Sequence, residues 1–173
     1  VFHYNDGDPH LVSALLGAAL GMNTGDWCRK NLFEPLNIEN YSWLTYPDGV
    51  TMGAFGLMLT PRDLAKFGQV VLERGLWNGK RLLGESSIDS MVQVRIPPQN
   101  TGYHGQAFGF YWWIDPERNI VYMHGQGGQY VLVNPEYGLL ITITAEPNTQ
   151  GRFQFSLEDA FSLHNRIISA ITN

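Results

Sequence analysis

Cysteine is nearly missing from this 173-residue sequence: Cys28, between Trp27 and Arg29, is the only one. An intrachain disulfide is thereby excluded, the redox compartment stays open, and the thiol reads as a packing group in a helix. A membrane-length apolar run is missing too. The longest, Leu11 to Met22, is interrupted by Ser13, Gly17 and Gly21, whereas a spanning helix takes about 20 residues. Basic clusters do not occur: 11 Lys and Arg are scattered among 16 Asp and Glu, for a net charge of -5. No footprint for nucleic acid or an anionic membrane results, and a small or neutral partner fits better. His3, His10, His104 and His164 show no i, i+4 pairing beside a carboxylate, so no metal site is expected. There is no internal repeat. Residues Val1 to Asp8 form neither a charged leader nor a methionine start, and the chain reads as beginning in mid-protein.

What is present is core material. With 44% hydrophobic and 13% aromatic residues, the chain is expected to form one globular domain. Asp8-Pro9 reads as the cap and first turn of a helix carrying Leu11, Leu15, Leu16, Ala19 and Leu20 at helical spacing, ended by Gly21. Thr24 is expected to cap a second helix running through Leu32-Phe33, stopped ahead of Pro35. A glycine-rich, nearly uncharged stretch, Gly49 to Gly56, precedes a stronger helix start. There Thr60 caps, Pro61 sits in the first turn, Asp63 meets the positive end of the dipole, and Leu64, Phe67 and Val71 form an apolar face closed by Gly75. After the turn signal Asn78-Gly79, a short helix is expected over Glu85 to Val92.

From Phe108 the period changes. Phe108 to Ile114, Ile120 to Met123, Tyr130 to Asn134 and Leu139 to Ala145 read as strands divided by short polar turns at Asp115-Pro116-Glu117-Arg118-Asn119 and Asn134-Pro135-Glu136-Tyr137-Gly138. Connections of hairpin length predict an antiparallel meander. Leu157, Ala160, Phe161, His164, Ile167, Ile168 and Ile171 then mark a C-terminal helix with one apolar stripe, laid across the sheet. The class is α+β, with a mainly helical region over 1–100 and sheet plus helix over 101–173. A sheet of this kind needs cover on both faces, and only one covering helix is evident, so apolar sheet surface is expected to lie open and chain to be missing.

Several segments in order carry a resemblance. Phe2-His3-Tyr4-Asn5-Asp6, then Leu32-Phe33-Glu34-Pro35-Leu36-Asn37-Ile38, then Leu57-Met58-Leu59-Thr60-Pro61-Arg62-Asp63-Leu64-Ala65-Lys66-Phe67-Gly68, and finally Gly125-Gln126-Gly127-Gly128-Gln129 resemble the serine β-lactamase and penicillin-binding-protein superfamily over its C-terminal half. The Ser42-Trp43 pair and the Gly-Gly-Gln ending are nearest the branch of 6-aminohexanoate-dimer hydrolase and related esterases. The resemblance implies an incomplete β-lactamase-like fold and hydrolysis of an ester or amide through an acyl-enzyme, without cofactor. In that superfamily the nucleophile stands in Ser-x-x-Lys. None of the 8 serines here has a lysine three residues on, so the nucleophile is expected in a missing N-terminal segment, the implied partner, and this chain alone is expected to be inactive.

Tyr4 is implied as the proton shuttle and the backbone amide of Gln126 as an oxyanion donor. Asp6, His124, Gly125 and Trp112 are implied substrate contacts. Asp6 stands where the family often has asparagine, and an ionised carboxylate cannot donate to a substrate amide. Met123 and His124 fill the first two places of a triad that ends on Gly125, so the cation that grips a β-lactam carboxylate is absent, which argues against an efficient β-lactamase. His124 itself reads equally as a substrate-orienting group or a satisfied strand histidine. The run Gly125-Gln126-Gly127-Gly128 lies between strands without a Lys-Ser/Thr or a following helix, so it does not read as a phosphate cradle. Phe110, Tyr111 and Trp113 beside Trp112 read as strand core and cleft wall. The competing reading is a non-catalytic module that recognises peptide-like or cell-wall ligands. The resemblance favours a periplasmic or exported location, with cytoplasm open.

Overall fold

The structure is a computed structural model that describes residues 2–103, 105–146 and 155–172. It forms two compact units, one of His3–Asp63 and one of Val1–Phe2 with Leu64–Asn173. The helical region expected over 1–100 is therefore divided: its last part belongs with the sheet.

In the His3–Asp63 unit, helix α1 (Gly7–Leu20) starts one residue before Asp8. Its first turn is held by Asn5, whose Oδ1 accepts from the Asp8 N–H at 2.9 Å, so Asn5 and not Asp8 does the capping. Asp8 is drawn inside the helix, where its carboxylate accepts from Asn5 Nδ2. Helix α2 (Thr24–Cys28) likewise begins one residue earlier than the sequence suggests: the Asn23 side chain accepts from Gly25 N–H, while Thr24 turns inward to donate to the Ser13 carbonyl at 2.7 Å. Both shifts have one cause. An asparagine outside the helix reaches the first free amides, which frees the next polar residue for another bond. One π-helical turn, Arg29–Phe33, follows. It delivers Phe33, Leu36 and Ile38, all buried, into the unit's small core, with Tyr41 edge-on to Phe33 at 4.7 Å. Strands β1 (Ser42–Trp43) and β2 (Leu57–Met58) pair antiparallel, and Trp43 donates its indole N–H to the Met52 carbonyl at 2.8 Å. The single thiol, Cys28, is half-buried and burial pushes its pKa up.

Helix α3 (Pro61–Leu72), which belongs to the larger unit from Leu64 on, opens on the expected cap, Asp63 N–H to Thr60 Oγ1 at 3.1 Å, with the Thr60 hydroxyl donating to the Asp63 carboxylate. The Asn78-Gly79 signal becomes a tight hairpin between β3 (Leu76–Trp77) and β4 (Lys80–Arg81), both turn residues having positive φ. Helices α4 (Glu85–Val92) and α5 (Pro98–Thr101) follow. The five-stranded antiparallel sheet is a meander in chain order: β5 (Ala107–Phe108), β6 (Trp113–Asp115), β7 (Ile120–Gly125), β8 (Gln129–Asn134) and β9 (Leu139–Ile143). The run Phe108 to Ile114, which reads as one strand, is two. A turn closed by the Gly109 N–H to the Trp112 carbonyl at 2.8 Å, with Tyr111 at φ 61, folds it into the β5–β6 hairpin.

Strand alternation sends Trp113, Ile120, Tyr122, Tyr130 and Leu132 to one face, where they meet Ala160 and Phe161 of helix α6 (Leu157–Thr172). Trp112, Ile114, Val121, Val131 and Val133 go to the other, against Val71 of α3 and Ile88 of α4. The expectation of an open sheet face is thus corrected: α3 and α4 cover the face that α6 leaves. Gly68 makes this cover possible. A Cβ there would stand 2.4 Å from Leu140 Cδ1 and 2.7 Å from Val131 Cγ1, well inside van der Waals contact, so only glycine lets α3 lie this close to β8 and β9.

Candidate active site

Three of the implied site residues stand in succession, two at the end of strand β7 and one on the turn after it. The strand ends His124-Gly125, and Gln126-Gly127-Gly128 turn the chain into β8. Gly127 and Gly128 have φ of 87° and 90° and are buried, whereas Gln126 is exposed on the turn. At Gly128 a Cβ would come 2.9 Å from the Phe155 carbonyl, so both the handedness and the room at that position call for glycine. The adjacent Gln129 side chain donates to the Ala145 carbonyl and ties the start of β8 to the chain beyond β9.

His124 is held from two sides. Its cross-strand partner is Tyr130, and the rings stack at 4.9 Å and 13°, as residues facing across an antiparallel pair allow. Tyr103, from the segment between α5 and β5, brings its hydroxyl to 2.6 Å from His124 Nδ1. Tyr103 is itself stacked on Trp113 at 4.3 Å, and its N–H donates to Thr101 Oγ1 at 3.3 Å. Tyr130 is shifted toward the protonated phenol, first by burial and then by the Asp159 carboxylate; buried Tyr122 is shifted the same way, chiefly by burial. Tyr103, His124 and Tyr130, with Arg118, Phe161 and Arg166, line a cavity of about 820 Å³ beside α6. Arg118 is anchored there by Asp115, 2.5 Å away, and lies over the Phe161 ring at 4.8 Å.

The other implied residues stand elsewhere. Trp112 is 5% exposed and packs with Val121 and Val131 on the α3 and α4 side of the sheet. It is a core residue, on the face opposite His124, because neighbouring strand positions point to opposite faces. Tyr4 and Asp6 belong to the His3–Asp63 unit, just ahead of α1. Tyr4 is 59% exposed, and its pKa is raised, first by partial desolvation and then by the Asp6 carboxylate. A raised phenol keeps its proton at neutral pH, so in these surroundings Tyr4 is a donor; a nearby cation is what turns it into an acceptor. Trp43 and, from the Phe33 to Ile38 segment, Phe33, Leu36 and Ile38 pack in the same unit, while Ser42 is exposed.

Among the remaining histidines, His164 is buried and bonded to Asn134 Nδ2 at 3.0 Å, His10 packs on Tyr46 at 4.3 Å, and His104 lies outside the described residues. Among the described residues no group of three or more His, Cys, Asp or Glu side chains could hold a metal ion, and no helix is long and apolar enough to cross a membrane. Tyr103 had no signal in the sequence: a single tyrosine after Gly102 marks nothing until the fold brings it to β7.

No curated protein sequence matches the chain. Among solved structures, one described as a 6-aminohexanoate-dimer hydrolase from Bacillus anthracis superposes with a TM-score of 0.79 at 22% identity, covering 98% of this chain and 43% of that one. A β-lactamase from Mycobacterium bovis gives 0.67 at 18% identity over 87% of this chain and 59% of its own. A penicillin-binding protein homologue from Pyrococcus abyssi gives 0.67 at 18% over 82% and 38%. At these identities the likeness is one of fold, and the chain spans less than two thirds of each relative's length. The family model described as Beta-lactamase matches residues 1–158, and on that match, with this α+β architecture, the chain belongs to the β-lactamase family.

Proposed function

We propose that this chain is the C-terminal portion of a serine hydrolase of the amidase or esterase type, whose Ser-x-x-Lys nucleophile is supplied by a segment outside the chain. The family match carries this reading, because residues 1–158 take in both Tyr4 and the Gly125–Gly128 turn. In such a reaction the serine oxygen bonds to the acyl carbon, its proton passes by way of the lysine and Tyr4 to the leaving group, and water then releases the acyl group. Tyr4, protonated in its present surroundings, is suited to the donating half of that transfer. Gln126 lies exposed on the turn after β7, which suits its backbone N–H to the developing oxyanion. In this reading His124 and Gly125, consecutive at the end of β7, flank the acyl group. The supplying segment also has a candidate seat in the unsatisfied face of α1, where Leu11 and Leu15 are 58% and 60% exposed and Leu16 lies beside them; a helix apolar all round is a helix that expects cover.

A fluorophosphonate probe tests the reading. The intact parent protein is expected to label and to turn over p-nitrophenyl butyrate, this chain alone to do neither, and Tyr4→Phe in the parent to lower kcat by about 100-fold. Labelling of this chain by itself, or an unchanged rate in Tyr4→Phe, contradicts it. A parent protein that folds and binds peptide-like ligands without labelling selects the recognition module instead.

A further inference from the structure

The proton on His124 is not settled by its strand position, because a neutral imidazole can carry it on either ring nitrogen and the partner of the other decides which. Here the partner of Nδ1 is the Tyr103 hydroxyl at 2.6 Å. A phenol is a good O–H donor and a poor acceptor, and a bare imidazole nitrogen is a good acceptor, so the favourable direction runs from tyrosine to histidine. The ring cannot tilt away from this bond easily, since Tyr130 stacks on it at 13°. Tyr103 cannot drift either, being stacked on Trp113, which is buried and pairs across β6–β7 with Tyr122. Three rings from three other segments, Trp113, Tyr103 and Tyr130, thus hold the His124 ring and its Nδ1 bond in place.

We propose that Tyr103 is a positioning residue: by donating to Nδ1 it fixes His124 as a neutral imidazole with its proton on Nε2, a hydrogen-bond donor next to Gly125 and the oxyanion turn. This rests on the hydrolase reading for its consequence, but not for the pairing itself. A neutral donor suits the carbonyl of an uncharged ester or amide and offers no full charge to a substrate carboxylate. Tyr103 touches no reacting atom; it acts through His124.

Two measurements separate the pairing from the function. Long-range proton–nitrogen NMR of this chain, with the His124 signals assigned by their loss in His124→Gln, is expected to show Nδ1 unprotonated and Nε2 protonated. In Tyr103→Phe the two nitrogen shifts should move toward each other. A protonated Nδ1 in the unmodified chain, or shifts that ignore Tyr103→Phe, overturns the pairing. In the intact hydrolase, Tyr103→Phe is expected to lower kcat/KM for p-nitrophenyl butyrate by roughly 10-fold, and to cost nothing further once His124→Gln is present. Losses that multiply in the double variant mean that Tyr103 acts through general stability and overturn the positioning role. An unmodified hydrolase that never turns over the ester, with the NMR result intact, sinks the enzyme reading and leaves the tautomer assignment standing.

Discussion

The two units meet the demands of burial differently. In the Leu64–Asn173 unit both faces of the five-stranded sheet have helices packed on them, and the buried aromatic and β-branched residues lie in two clusters on either side of that sheet. In the His3–Asp63 unit the apolar core is small, centred on Phe33, Leu36 and Ile38, and cohesion falls to polar bonds. Ser13 Oγ donates to the Thr51 carbonyl at 2.8 Å, Gly25 N–H donates to Thr51 Oγ1 at 3.0 Å, and Asn23 bonds both Thr51 and Gly49. Meanwhile the leucines of α1 face outward. Apolar content alone therefore does not make a core: α1 is the most leucine-rich element of the chain and buries almost none of them, because side chains on a helix find cover only where a second element is present.

Truncating the packed unit should break the contrast most visibly. Phe161→Ala, which removes the ring that meets Tyr122 edge-on at 5.5 Å, is expected to cost about 3–5 kcal/mol in urea unfolding; a loss as small as that of a surface change means α6 does not seal the sheet. Gly68→Ala should cost about 1–3 kcal/mol, despite alanine's better helix propensity, as the methyl meets Leu140 and Val131. An unchanged or higher midpoint contradicts the close approach of α3. In the smaller unit the sensitive atom is a hydroxyl. Thr51→Val is expected to cost about 1–3 kcal/mol, followed through hydrogen exchange of the Gly25 amide, which should lose protection while the β7 and β8 amides keep theirs.

Leu15→Lys sharpens the comparison by doing little, within about 0.5 kcal/mol, while reducing self-association by light scattering; a large loss means α1 is covered after all. The smallest effect is electrostatic. Glu85 is exposed and its pKa is lowered, first by the hydrogen bond from Arg74 at 2.7 Å and then by that residue's charge. A carboxyl lowered in the folded state stabilises above its unfolded pKa and loses that contribution as pH falls through the folded value. Glu85→Gln should thus narrow the difference in urea midpoint between pH 7 and pH 3; an identical difference removes the ion pair from the acid response.

Much of the chain from Thr60 on was legible beforehand. The Thr60 cap, the Asn78-Gly79 turn, the polar turns after Ile114 and Val133 and the stripe of α6 are local signals, and local bonds realise them. The misreadings were local as well. Asp8 and Thr24 gave way as caps to Asn5 and Asn23, and Phe108 to Ile114 folded at Tyr111, since residues of similar propensity compete and tertiary bonds choose among them. At the candidate site, His124, Gly125 and Gln126 were visible as a motif because they are consecutive. Trp112 lies in the core because the face a residue takes depends on register, which the turn just ahead of the three-residue strand β6 hides in the sequence.

By itself the amino-acid sequence determined the α+β class, the meander order, the single uncrosslinked cysteine and the β-lactamase-like motifs, all of which depend on spacing along the chain. Only the tertiary structure decided that α3 and α4 cover the second sheet face, that the α1 leucines stay exposed, and that Tyr103 meets His124 Nδ1. Those outcomes depend on which distant segments come within a few ångströms of each other, and no local pattern encodes a contact between residues 21 positions apart.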